Sequence, residues 1–489
     1  MIKTKKPKLK LLEKDFIKKI FDEALHLLHK RGVFVENRNA LDLLKQNGAK
    51  IDKESQRVYI SPKLVYDSLS STPSKIRIFD RSCEKEFLIG EDEFHFNPGS
   101  TAITILDHAT SNCRKPVTAD LVAFSRLTDC LEYFDFQSTG LISSDVPENM
   151  ADSYRLFLCL QFSTKPIVTG TFRIEGFRPM MDMLVAVRGS EQNLAEKPLA
   201  IFDACPSPPL KWSHLTSQSL IDSARAGIPS ELISMGLTGA TSPVTLAGTL
   251  VQHVAENLSG IVICQLAKKG APVIFGGSPS GFDMRKGTTP MGAMETMMID
   301  SAYAQIGKYL HLPTHAYMGL SDSKINDSQA GLESGIGAIM AALSGINVIS
   351  GPGMMNFEST QSLEKLIIDN EICAMAYRLC QGISQREERL AIHLFEKGAK
   401  DIHFLSMPHT RKWYREEHLF PRTIDRDTYE QWVSLGKKSM ADRASDEVKK
   451  ILTSTTPKTL NKNIYQDLQK IMLREAQKHG LSSLPSNEP

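Results

Sequence analysis

The fold that the sequence predicts is of the α/β class: a (β/α)8 TIM barrel carrying a small N-terminal α+β module and a helical C-terminal extension. Three observations predict it. Eight short runs rich in apolar and β-branched residues each precede a longer segment of helical period, at 94–98, 134–141, 166–171, 198–203, 231–236, 272–276, 313–318 and 346–351. From residue 134 onward their starts lie 32 to 41 residues apart, the length of one strand plus one crossover helix, so the strands run parallel. Several runs open with Pro (Pro166, Pro198, Pro272, Pro313), where a first strand residue can spare its N–H, and several end in Gly. Eight such units close most naturally into a barrel, the alternative being a doubly wound open sheet.

Ahead of the barrel, residues 12–30 and 39–46 have amphipathic helical spacing, while 57–60 and 75–79 alternate like strands. After it the chain is charged and polar with scattered aromatics, which suggests helices wrapped on the barrel and a loose tail beyond Thr453. The expected division is 1–92 for the N-terminal module, 93–385 for the barrel and 386–489 for the extension.

The chain has 489 residues, with 58 Lys and Arg against 56 Asp and Glu, a formal net charge of +2. Such a balance argues against a nucleic acid or an anionic membrane as partner. Hydrophobic residues at 41% and charged residues at 23% describe a globular protein. The eight cysteines form no CxxC pair and have no histidine cluster near them, which is cytoplasmic usage and offers neither a disulfide framework nor a metal site. The basic N-terminus lacks the apolar core of a secretory signal. Residues 335–355 carry no charge, but Gly345, Asn347, Ser350, Gly351, Pro352 and Gly353 interrupt them, so a buried helix turning into a buried strand is expected rather than a membrane span.

In such a barrel the chemistry sits at the C-terminal strand ends and the loops that follow. The strand assignments bring Phe96, Asn97 and Ser100, Ser138, Thr169, Phe202, Asp203 and Cys205, Phe275 and Ser278, and Tyr317 into that position. Asp203 reads as the one strand-end carboxylate, and no histidine lies at a hydrogen-bonding spacing from a candidate serine or cysteine. The glycine-rich stretches at 277–287 and 351–353 match neither a dinucleotide fingerprint, a P-loop nor a nucleophile elbow. Two polar segments stand out. In 319–331, after the seventh strand, Asp327 or Ser328 can cap the next helix and Lys324 lies where a substrate would be. In 237–248, Thr241 or Ser242 can cap a helix opened by Pro243 and so offer an anion site.

These segments carry a resemblance. GLTGATSPVTLAG at 236–248, APVIFGG at 271–277 and SDSKINDSQAG at 321–331, with GVFVEN at 32–37 and RVYISPKLV at 57–65 upstream, resemble the trimethylamine methyltransferase superfamily over most of the chain. The resemblance implies a (β/α)8 enzyme that moves a methyl group from a methylated amine to the cobalt of a separate corrinoid protein. Its archaeal trimethylamine enzymes carry pyrrolysine near the segment matching 321–327, which here is spelled with ordinary residues. The chain is therefore similar to the non-pyrrolysine branch, whose known members demethylate quaternary amines such as glycine betaine, proline betaine, carnitine and γ-butyrobetaine.

What that implies is a cytoplasmic homo-oligomer with no tightly bound cofactor and no metal, partnered by a cognate corrinoid protein that carries the cob(I)alamin. A quaternary nitrogen already bears its charge and leaves as a neutral amine, so no general acid or protein nucleophile is expected. A cation without N–H donors suits aromatic faces. Phe96, Phe202, Phe275 and Tyr317 are the expected cage, with Tyr317 and Phe96 preferred. Lys324, Asn97 or the Thr241–Ser242 helix start would meet a carboxylate on the substrate, and Asp203 would face the ammonium. Such a site is expected to be lined by rings and amides rather than acids. Three other readings stay open: a trimethylamine enzyme with a hidden pyrrolysine, most plausibly at Lys324; a non-catalytic betaine-binding protein; and, less favoured for want of ligand spacing, a metal-dependent lyase or hydrolase.

Overall fold

A computed structural model describes residues 6–52, 54–99, 101–387, 389–396, 403–456 and 460–485. Eight parallel strands form its centre: β1 (His95–Asn97), β2 (Gln137–Ser138), β3 (Ile167–Thr169), β4 (Ala200–Ala204), β5 (Ser230–Leu232), β6 (Val273–Gly277), β7 (Thr314–Tyr317) and β8 (Val348–Ser350). Each falls within or overlaps one of the eight runs. The order β1-β8-β7-β6-β5-β4-β3-β2 leaves β1 and β2 as neighbours. They close the ring through the amides of Asp135 and Phe136, which donate to the Phe96 carbonyl at 2.9 and 3.4 Å, and through a parallel bridge between Ala102 and Leu141. Closure rules out the open sheet.

The strand-opening prolines behave as their chemistry demands. They cannot donate, but the carbonyls of Pro166, Pro272 and Pro313 accept from the amides of Gln137, Ser230 and Phe275 at 2.8, 3.2 and 2.9 Å, so each still serves its neighbour. One principal helix follows each strand: α1 (Thr118–Cys130), α2 (Ala151–Phe162), α3 (Phe177–Arg188), α4 (His214–Ala226), α5 (Leu246–Ala267), α6 (Met294–Tyr309), α7 (Ser328–Ser344) and α8 (Leu363–Gln381). Helix α7 turning into β8 is the buried helix and strand expected for 335–355. No helix among the described residues is long and apolar enough to cross a membrane. All eight cysteines are free.

The N-terminal module has helices Lys14–Lys30, Arg38–Gln46 and Pro62–Ser71 around a sheet of Val33–Val35, Lys50–Asp52 and Arg57–Tyr59. Lys211–Trp212, from the barrel segment, joins that sheet in parallel with Val33–Val35. A hairpin, Lys75–Phe79 with Glu86–Gly90, then sends Ile76, Ile78 and Ile89 against Phe136, Val168, Ile201, Ile274 and Val348 at the starts of the barrel strands. The lower barrel is thereby filled with hydrocarbon.

The C-terminal extension is helical as expected, but the loose tail beyond Thr453 is not what forms. Met440–Ser454 packs on α8 and α1, and Lys462–Lys478 packs on α3 and α2 with Leu468, Met472 and Ala476 fully buried. Their four-residue spacing gives that segment an apolar stripe, which docks. Residues 486–489 lie outside the described residues.

Candidate active site

Alternation along a strand sends successive side chains to opposite faces, and here it decides which residues reach the barrel interior. Phe96, Phe202 and Phe275 point outward. Phe96 meets Phe94 and Tyr377 of α8, Phe202 meets Phe177 of α3, and Phe275 meets His253 of α5 and Tyr303 of α6. All three are core packing between barrel and helices, so the expected four-ring cage does not form. Of the four rings only Tyr317 faces inward, edge-on to His315 at 4.9 Å.

Inward-facing polar residues take the place of the rings. Asp203 and Glu231 are register partners on β4 and β5. Glu231 is fully buried and hydrogen-bonds Asp203, and beyond that pairing neither of its oxygens nor Oδ1 of Asp203 has a partner. Burial pushes the Asp203 carboxyl up to about 6 and, with the Asp203 charge added, holds Glu231 well above the ordinary carboxylate range. His315 on β7 leans over Gly276, where a Cβ would come within 2.8 Å of its own Cβ, and places Nε2 3.6 Å from Oε1 of Glu231. Ser350 Oγ donates to Asn97 Oδ1 at 3.0 Å, so His315 Nε2 must be the donor in its 3.1 Å bond to Ser350 Oγ. Burial depresses the imidazole to about 3, and the ring is neutral.

The loops after β7 and β8 add two more acids. Asp322, nearly buried, accepts from the amides of Met291 and Gly292 at 3.0 and 2.9 Å, and burial raises it to about 6. Glu358 sits at the turn between Met354–Met355 and Thr360–Gln361, hydrogen-bonded to Ser278. Burial and the charges of Asp203 and Asp322 raise it to about 8. Asn356, Phe357 and Glu358 all have left-handed backbones, with φ of 50°, 57° and 64°. Three such non-glycine residues in a row cost on the order of 1–3 kcal/mol each, strain of the kind that persists where a side chain must be aimed. The segment is anchored by the buried Lys365–Asp369 ion pair at 2.7 Å, whose Asp369 accepts from the Gly353 amide.

Arg155, on α2 and 1% exposed, completes the mouth. Its Nη1 donates to the Thr139 carbonyl at 2.7 Å and Thr101 Oγ1 at 3.3 Å, and the guanidinium lies 4.3 Å from the centre of the Phe172 ring.

The remaining expected site residues are placed as follows. Asn97 lines the wall, but its amide is engaged with Ser350 and the Pro98 carbonyl. Lys324 is exposed, donates to the Asp322 carbonyl at 2.6 Å and stands 3.9 Å over the Phe357 ring, which ties the loop after β7 to the loop after β8. Thr241 and Ser242 do not cap α5. Thr241 Oγ1 accepts from the Leu237 amide at 2.9 Å and Ser242 Oγ bonds Thr249 at 3.0 Å; the cap is Thr245, because the helix begins only at Leu246. Asp327 does cap α7, accepting from the Ala330 amide at 3.1 Å. Ser100 lies outside the described residues. Asp203 is thus not the one strand-end carboxylate. The run 231–236 opens on Glu231, which is instead the central residue of Ser230–Leu232, and Glu358, Asp322 and Arg155 lie outside the strands, where period-2 alternation carries no signal.

The family model for trimethylamine methyltransferase (MTTB) matches residues 1–480. A trimethylamine methyltransferase MttB from Desulfitobacterium hafniense (strain DSM 10664 / DCB-2) is 32% identical over 463 residues, covering 95% of this chain and 93% of that protein. A glycine betaine methyltransferase from Desulfitobacterium hafniense (strain Y51) is 29% identical over 476 residues, covering 97% and 98%. Among solved structures, the monomethylamine methyltransferase (MtmB) of Methanosarcina barkeri superimposes with a TM-score of 0.53 at 11% identity, over 97% of this chain and 89% of that one, a likeness of fold alone. With a family model spanning nearly its whole length and a relative above 30% identity, the chain belongs to the trimethylamine methyltransferase family.

Proposed function

We propose that the protein demethylates a quaternary amine of the betaine type and passes the methyl group to the Co(I) corrinoid of a partner protein. The observation that carries this is the convergence of Asp203, Glu231 and Glu358 at the C-terminal strand ends, where Oδ1 of Asp203 and both oxygens of Glu231 have no partner beyond the bond between those two acids. Unmatched buried carboxyl oxygens favour a cation as their partner. The similarity to a glycine betaine methyltransferase, and the ordinary residues at 321–327, favour a quaternary amine over trimethylamine.

The corrinoid of the partner supplies the nucleophile and accepts the methyl group as the C–N bond breaks, its electron pair staying on nitrogen. The chain's own residues bind, orient and exclude water, which in favourable cases is worth roughly 7–11 kcal/mol. Acids in place of rings and amides change how the cation is held. The positive charge on nitrogen disappears in the transition state, so a fixed anion would stabilise the ground state and oppose the reaction. Carboxyls kept near neutrality by burial attract the cation with a smaller penalty of that kind, and Tyr317 adds one ring face. Exposed Met235, Met284, Ile325 and Leu332, on or beside the loops after β5, β6 and β7, give the mouth an apolar rim suited to a protein partner.

The test mixes the purified protein with a cognate corrinoid protein held in the Co(I) state and follows its visible spectrum. Methylation is expected from a betaine and not from trimethylamine. Spectra unchanged with every quaternary amine tried would overturn the proposal. The mass of the peptide spanning 321–327 is expected to match its ordinary residues; added mass at Lys324 would return the trimethylamine reading.

A further inference from the structure

Two opposite charges stand apart in the mouth. Arg155 is buried, and its Nε has no partner. Asp203, across the mouth, has Oδ1 without a partner. The guanidinium feels the charge of Asp152, its neighbour on α2, more than that of Asp203, and it forms an ion pair with neither. Buried charges left separate are costly, and a chain selected for stability alone would bring them together. A molecule with its own cation and anion would complement both, the cation toward Asp203, Glu231 and Glu358 and the anion toward the guanidinium.

Of the other cations on the strand-end loops, Arg173 after β3 also leaves its Nε without a partner but is only half-buried, whereas Arg155 is fully buried. Lys324 is exposed and bonded to the Asp322 carbonyl, while the Thr241 and Ser242 hydroxyls serve their own loop. Arg155 also has the better chemistry. A planar guanidinium held on a carbonyl and a ring face presents its remaining N–H groups in a fixed fork that matches a carboxylate.

We propose that Arg155 is the residue that holds the substrate's carboxylate in this site. The inference rests on the quaternary-amine reading for the cation end only; the carboxylate end stands on Arg155 itself.

The test is calorimetric titration of the full chain with glycine betaine and γ-butyrobetaine, each beside its methyl ester. Tetramethylammonium serves as the cation-only probe, and 3,3-dimethylbutanoate, the carbon isostere of glycine betaine, as the carboxylate-only probe. In the wild type at least one acid is expected to bind about 100-fold more tightly than its ester, the scale of one charge-assisted pair in a buried site. In Arg155→Gln that gap is expected to shrink to within about 5-fold. Should that variant not fold, Arg155→Lys, which keeps the charge without the fork, is expected to retain only part of the gap, and the wild-type acid-to-ester ratio decides alone. An ester that binds as well as its acid, or a folded Arg155→Gln that keeps the gap, overturns the proposal. Tetramethylammonium binding with no advantage for the acids would sink the carboxylate role and leave the quaternary-amine reading standing. Binding of 3,3-dimethylbutanoate that depends on Arg155, with no betaine bound, would do the reverse, and no binding of any probe would sink both.

Discussion

Nε2 of His315 lies 3.6 Å from Oε1 of Glu231, and both side chains are fully buried. The geometry is that of an ion pair, but burial depresses the imidazole and raises the carboxyl, so protonation runs the other way. A neutral Glu231 is closely imitated by an amide. Glu231→Gln is expected to unfold in denaturant within about 1 kcal/mol of the wild type at pH 7, whereas Glu231→Ala, which leaves a hole beside His315, is expected to cost about 2–4 kcal/mol. Equal losses in the two variants would show that the charged form is the one the fold holds.

Stability against pH follows from the same burial. Glu358 has a folded value of about 8, above its unfolded one, so between pH 4.5 and 8 the folded state keeps a proton that the unfolded chain has lost, and raising the pH destabilises. His253 and His315, both held near 3, act oppositely below pH 6.5, and Lys165 and Lys308, lowered to about 8, act oppositely above pH 8. In the window from pH 6.5 to 8 the Tm of the ligand-free protein is therefore expected to fall, and Glu358→Gln is expected to flatten that decline. A Tm that climbs across the window would contradict the protonated state of Glu358.

A cation entering beside Glu358 favours its ionised form, so binding is expected to expel a proton. Titration calorimetry with glycine betaine at pH 7, in two buffers of different ionisation enthalpy, is expected to show net proton release in the wild type and less in Glu358→Gln. Heats independent of buffer would place the cation elsewhere.

The inward ring and the outward rings are expected to separate cleanly. Phe275→Leu lies between barrel and helices and is expected to lower stability by about 1–3 kcal/mol with KM unchanged. Tyr317→Ala is expected to raise KM more than Lys324→Ala does. The opposite order would shift recognition to the loop after β7.

Leu468 tests the C-terminal helix. Leu468→Ala is expected to cost about 2–5 kcal/mol by denaturant unfolding while leaving substrate affinity intact, because the helix buries it against α2 and α3 far from the strand ends.

The barrel was legible because its signal is repeated. Eight Pro- and Gly-punctuated runs each announce a strand, and closure follows from their number. The acids at the mouth were far less legible. Glu231 was assigned to the edge of its run although it is the middle residue of Ser230–Leu232, and a one-residue error in parity exchanges the interior for the helix-facing side. The same parity sent Phe96, Phe202 and Phe275 outward. Glu358 and Arg155 reach the mouth through a strained hairpin and a helix, placements set by tertiary packing, for which no local spacing rule exists.

The isoleucine-bearing hairpin plugs the barrel from beneath, so reactants can approach only from the strand-end face. Under the proposed reaction, the amine and the corrin must then take turns at one threshold: the methyl donor enters first, the cobalt carrier covers it, and the demethylated amine departs only after that carrier has withdrawn. Turnover would be strictly ordered, and an excess of the carrier protein would slow it by trapping the spent amine inside.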